Sequence, residues 1–186
     1  MDQNDARLQA WFTLPRRIYL DTSTLQNLYD YGGVIFEGEP FEPLGQAAKV
    51  KGLDEELDAL RKIFLVNERA SFEFVITEAN FREVTQRGAP GYTQWVYDVL
   101  DTWLIQSEGE GPPASGIQLD DRRFGMISAK DWLLLQDALD WCCDAFMTME
   151  RRLPTAATFI ERQTGLQVMR PTTYWKLLQP WAALYH

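Results

Sequence analysis

The chain has 186 residues and a formal net charge of −9. That length suits one domain with a sizeable core, and the charge has the wrong sign for a protein that coats nucleic acid. Recurrent apolar residues exclude wholesale disorder, no apolar run is long enough to cross a membrane, and the acidic start MDQNDARLQAWF does not fit a secretory signal.

The expected address is therefore the cytoplasm. His186 is the only histidine, and the adjacent Cys142 and Cys143 are the only cysteines. Ser–His–Asp, Cys–His and histidine-rich zinc chemistry all need an imidazole held firmly in the fold, and a terminal histidine is a poor candidate. Two adjacent cysteines on a helix make neither a disulfide framework nor a zinc motif, and are expected to be small buried apolar side chains. Carboxylates, hydroxyls and a hard ion such as Mg2+ or Mn2+ remain.

In chain order, Arg17 to Leu20 is a short run of strand formers, followed at once by Asp21-Thr22-Ser23-Thr24. Leu25 to Tyr29 reads as a helix capped by those hydroxyls. Gly32 to Gly45 reads as a surface loop, and Leu53 to Val66 as a helix with acids in its first turn. Phe72 to Ile76 reads as a strand, with helices from Glu78 to about Gln86 and from Tyr92 to Ile105. Ser107 to Gly125 reads as a second loop. Ser128 to Cys143 reads as a helix and Ala145 to Thr148 as a strand. Pro154 opens another helix that Gly165 ends, Leu166 to Met169 is the last strand, and a final helix runs through Trp175 to Ala183. Strands alternating with helices predict a three-layer α/β sandwich around a mostly parallel sheet. There is no linker or internal repeat, so residues 1–186 read as one domain with insertions at about 32–70 and 107–125.

Ligands of an open α/β sheet bind at the carboxyl ends of its strands. Asp21 and Glu150 fall there, although Asp21 is also a good helix cap. Asp131 fits a capping box with Ser128, yet it also heads the apolar stripe of Leu134, Leu135, Ala138 and Cys142. Asp137 and Asp140 lie well round the helix from that stripe and are expected to meet water. Glu78 has Arg82 four residues on, the spacing of a surface ion pair, whereas Glu83 lies deeper in the same helix. Spacing alone does not decide between the two glutamates. The pairs Arg16–Arg17, Arg122–Arg123 and Arg151–Arg152 are either solvated surface charge or guides for a phosphate backbone.

Four segments together resemble PIN-domain nucleases: YLDTSTL at Tyr19, ITEANFREV at Ile76, DWLLLQDALDWCCDAFMTMERRL at Asp131 and LQVMRPTTYWKLL at Leu166. The third is the most specific, with Asp131, Ala138, Thr148 and Glu150 in the family's register and Gly165, Val168 and Pro171 closing the pattern. The resemblance covers both ends of the chain but not its middle. It implies Asp21, Glu83, Asp131 and Glu150 as the metal-binding acids, with Glu83 preferred to Glu78. Thr148 would orient the site, with Thr22 or Ser23 assisting. The family's fourth acid is usually Asp, so Glu150 is a departure that would shift or weaken the metal.

The function implied is a metal-dependent endoribonuclease using Mg2+ or Mn2+, with Arg151, Arg152 and Arg82 or Arg87 on the RNA backbone. Many small members of the family are toxins held by an antitoxin protein, and a freestanding RNA-processing role suits the residues equally. A homodimer through the aromatic helix from Tyr92 stays open. Two alternatives remain: a catalytically weakened RNA- or protein-binding module on the same fold, and a phosphoryl-accepting receiver, for which no well-placed lysine follows the last strand.

Overall fold

The computed structural model describes residues 10–45, 50–70, 72–87, 89–104, 116–119 and 127–185. Strand β1 (Arg17–Leu20) leads into α1 (Thr22–Asp30) and then a π-helical turn, Gly33–Glu37. Next come α2 (Leu53–Asn67), β2 (Glu73–Val75), α3 (Glu78–Arg87), α4 (Pro90–Leu104) and α5 (Ala129–Asp140). Strand β3 (Ala145–Met147), a 3-10 turn Leu153–Ala156, α6 (Ala157–Thr164), β4 (Gln167–Met169), α7 (Pro171–Leu178) and a 3-10 stretch Gln179–Tyr185 complete the order. The insertion expected at 107–125 lies mostly outside the described residues, as do Arg122, Arg123 and His186; of Arg87 only the backbone is described.

The four strands form one all-parallel sheet in the order β2-β1-β3-β4. Successive side chains of a strand point to opposite faces, and that alternation sorts the core. Ile18, Leu20, Ala145 and Met147 face one way, onto Leu25 and Leu28 of α1, Leu57, Leu60 and Ile63 of α2, and Tyr174 and Leu178 of α7. Tyr19, Phe146 and Val168 face the other way, onto Leu134, Leu135, Ala138 and Leu139 of α5 and Ile160 of α6. The sandwich therefore has helices on both faces of a parallel sheet, as its buried, nearly continuous apolar strands require. Helices α3 and α4 pack on each other through Val84, Tyr92 and Val96.

Three local expectations change. Residues 33–37 are not simply a loop: Ile35 is buried and its N–H bonds the Tyr31 carbonyl at 3.0 Å, so one apolar residue anchors the turn against the core. Helix α5 ends at Asp140, short of the cysteines. Cys142 then adopts a left-handed conformation with φ 52°. The N–H of Cys142 bonds the Leu139 carbonyl and that of Cys143 bonds the Ala138 carbonyl, each at 2.9 Å. That is the Schellman C-cap, whose left-handed position glycine usually fills. Cys142 is consequently exposed, and only Cys143 is buried.

The strand starts are tied together away from the carboxyl ends. Asp144 accepts the backbone N–H groups of Arg16 and Arg17 at 2.9 Å, and Arg17 donates through Nε to the Trp141 carbonyl and pairs with Glu73. Arg16–Arg17 thus opens β1, at the end of the sheet opposite Asp21. No helix among the described residues is long and apolar enough to cross a membrane.

Candidate functional site

In the order β2-β1-β3-β4 the chain moves outward in one direction from β1 and in the other from β3, so the topological switch point lies between those two strands. Asp21 directly follows β1, and Thr148 and Glu150 directly follow β3. A backbone bond from Asp21 N–H to the Met147 carbonyl at 3.1 Å holds these two ends side by side, and Thr148 N–H to the Met169 carbonyl at 3.0 Å ties the end of β3 to β4.

Asp21 is 5% exposed. It is the N-cap of α1, accepting the Thr24 N–H at 2.7 Å through Oδ1; the expected hydroxyl caps give way to this carboxylate. The Thr148 hydroxyl donates to Asp21 Oδ2 at 2.5 Å and the Ser23 hydroxyl reaches both carboxylate oxygens at 2.9 Å. Each hydroxyl is itself fixed by a backbone donor, Glu150 N–H on Thr148 and Met149 N–H on Ser23. These donors are all neutral. Burial outweighs them and pushes the Asp21 carboxyl up from 3.8 to about 6.

The other acids arrive from separate elements. Glu83 of α3 accepts the Thr22 hydroxyl at 2.8 Å and meets Lys130 Nζ at 3.5 Å. Glu78 is paired with Arg82 at 2.9 Å on the exposed side of the same helix. Asp131 is the third residue of α5: its N–H bonds the Ser128 hydroxyl, which donates in turn to Asp131 Oδ2 at 2.8 Å. The capping box is real, and Asp131 nonetheless borders the same cavity as the other acids. That cavity, of about 490 Å3, is lined by Asp21, Glu83, Asp131 and Glu150 together with Asp30, Tyr29 and Tyr92. Asp30, Tyr29 and Tyr92 carried no sequence signal as site residues, because their place there depends on how α1 and α4 pack.

As the side chains lie, no group of three or more acidic, histidine or cysteine side chains among the described residues could hold an ion. Glu83 is turned toward Thr22 and Lys130, Asp131 toward Ser128. The composition of the cavity still fits a hard divalent cation, since it offers oxygen donors only and contains a buried carboxylate met by neutral groups. Arg151 and Arg152 are exposed and line neither this cavity nor its neighbour; Arg151 bonds the Lys51 carbonyl.

Asp137, expected to meet water, is half-buried and engaged through one oxygen. The hydroxyls of Tyr19, at 2.8 Å, and Thr77 both donate to its Oδ2, while Asn80 receives the Thr77 N–H at 2.9 Å and donates to the Leu20 carbonyl at 3.0 Å. Burial raises the Asp137 carboxyl above its ordinary value and the Tyr19 phenol well above its own. The flank of α5 carrying Asp137 faces α3 across a cavity that Asp137 lines. The network ties β1, α3 and α5 together beneath the acidic cavity. The chain matches no protein-family model, and neither the curated proteins nor the solved structures compared with it give a match.

Proposed function

We propose that this chain is a metal-dependent endoribonuclease in which Asp21, Glu83, Asp131 and Glu150 hold Mg2+ or Mn2+. One observation carries the reading: four acids on four separate segments line a single cavity at the switch point of a parallel sheet. The resemblance of the same four positions to the PIN-domain pattern supports it independently of geometry. When bound, the metal would activate water and offset charge on the scissile phosphate. The chain's own part is positional. Thr148, Ser23 and the Thr24 N–H fix both oxygens of Asp21, so its carboxylate needs no reorganisation, and Thr22 holds Glu83 beside it. RNA is then the substrate, whether the chain is a toxin held by an antitoxin or a freestanding RNA-processing enzyme.

The test is cleavage of a structured RNA with Mn2+ or Mg2+ against an EDTA control and Asp21→Asn, alongside calorimetry with Mn2+. Metal-dependent cutting lost in the variant is expected. Protein that neither cuts nor binds Mn2+ overturns the proposal. The second reading, a binding module without catalysis, is favoured by the outward, exposed position of Glu150 and by the engagement of Glu83 with Lys130. RNA binding without cutting would select it.

A further inference from the structure

Among the described residues, the acidic cavity is lined by five carboxylates and by no lysine or arginine. A polyanion entering it therefore needs cations from elsewhere. They stand next door. A second cavity, of about 400 Å3, lies between α3 and α5 and shares Glu83 and Leu134 with the first. Arg82 and Lys130 both line it, and the Glu83–Lys130 pair at 3.5 Å marks the boundary between the two.

Lys130 is the second residue of α5, in the first turn of the helix. A cation there faces the positive end of the helix dipole, an unfavourable place for it. Its Coulombic partner, Glu83, is one of the four acids assigned above to the metal, so any cation that draws Glu83 inward frees the Lys130 ammonium. Beyond it the groove takes Ala79 from α3, while Leu133 and Leu134 lie alongside the acceptors Asp137 and Asp140 on α5. Leu133 is 65% exposed at its rim. An apolar surface with carboxylate acceptors beside it suits the face of a flat ring whose edge carries amino or imino N–H groups, and a phosphate suits the lysine.

We propose that Lys130 and the α3–α5 groove form the subsite for the nucleotide next to the scissile phosphate in single-stranded RNA, with its phosphate on Lys130 and its base against Leu133, its edge toward Asp137. This rests on the ribonuclease reading above. Binding of a labelled single-stranded RNA, followed by anisotropy with Ca2+ in place of Mn2+, tests it without requiring turnover. Lys130→Ala should weaken binding about tenfold, the loss of one charge-assisted contact, and lower the salt slope by about 1. Lys130→Arg should retain most of the affinity, and calorimetric Mn2+ affinity should not fall in either variant. An abasic nucleotide at one position should weaken wild-type binding and have no further effect in Leu133→Asp. Equal or tighter binding by Lys130→Ala, or insensitivity to every abasic position, overturns the subsite. If the wild type cuts RNA while Lys130→Ala binds unchanged, the subsite alone falls; if the wild type does not bind RNA at all, both readings fall.

Discussion

Replacing Asp21 by Asn should stabilise the protein in the absence of metal while removing the cleavage proposed for it. Moving a fully buried carboxyl from 3.8 to about 6 corresponds to about 3 kcal/mol disfavouring the ionised form in the fold. Because the folded value lies above the unfolded one, the folded state binds more protons between them, and stability falls as pH rises from about 4 to about 6. Asn keeps the cap on Thr24 but reverses one of the hydroxyl bonds, which costs about 1 kcal/mol. The variant should therefore exceed the wild type by roughly 1–2 kcal/mol at about pH 8 in EDTA, and the gap should narrow by about 1–2 kcal/mol at about pH 5. Urea denaturation at the two pH values measures both. A variant less stable than the wild type at about pH 8, or a gap that does not change with pH, would refute the claim that Asp21 is held against its preference.

Three other outcomes follow from the described contacts. Cys142→Gly should raise the melting temperature, since removing a side chain from a left-handed position relieves about 1 kcal/mol. Glu56 is buried, accepts the N–H and hydroxyl of Thr172 and pairs with Arg170 at 3.3 Å. Glu56→Ala should cost about 3 kcal/mol by chemical denaturation, because it strips a half-buried guanidinium of its counter-charge and unties α2 from α7. Burial pushes the Cys143 thiol up to about 12, so iodoacetamide at about pH 8 should modify exposed Cys142 and leave Cys143 intact in the native protein, as peptide mass spectrometry would report.

Much of the sheet and its acids was legible because each strand is a short apolar run that ends in a polar signal. Arg17 to Leu20 followed by Asp21 marked both a strand and the site at its carboxyl end. The choice between Glu78 and Glu83 was not legible from spacing: both lie on α3, and only the packing of that helix against α1 and α5 turns Glu83 inward. Asp137 was misread for the related reason that a helical stripe was measured against the sheet alone. A second neighbour, α3, covers the flank of α5 that the stripe left outside, and Tyr19 and Thr77 reach it there. The end of α5 was missed because no glycine announces it; Cys142 takes the left-handed turn instead. Arg151 and Arg152 had the right charge close to Glu150 in sequence, but the turn after β3 carries them away from both cavities.

The central strand also dictates an order of events. Parallel neighbours cannot be joined by a tight turn, and Ile18 pairs with Ala145, Tyr19 with Phe146 and Leu20 with Met147, so β1 waits for partners from the far part of the chain. During synthesis Asp21 emerges long before one of the two hydroxyls that hold it, that of Thr148, 127 positions later. Contacts of such long range form late and slowly. Until then Ile18, Tyr19 and Leu20 stand without one of their two flanking strands, and they are the segment a chaperone would be expected to cover. A nascent chain that stops short of residue 148 lacks both that hydroxyl and Glu150, one of the four acids of the cavity.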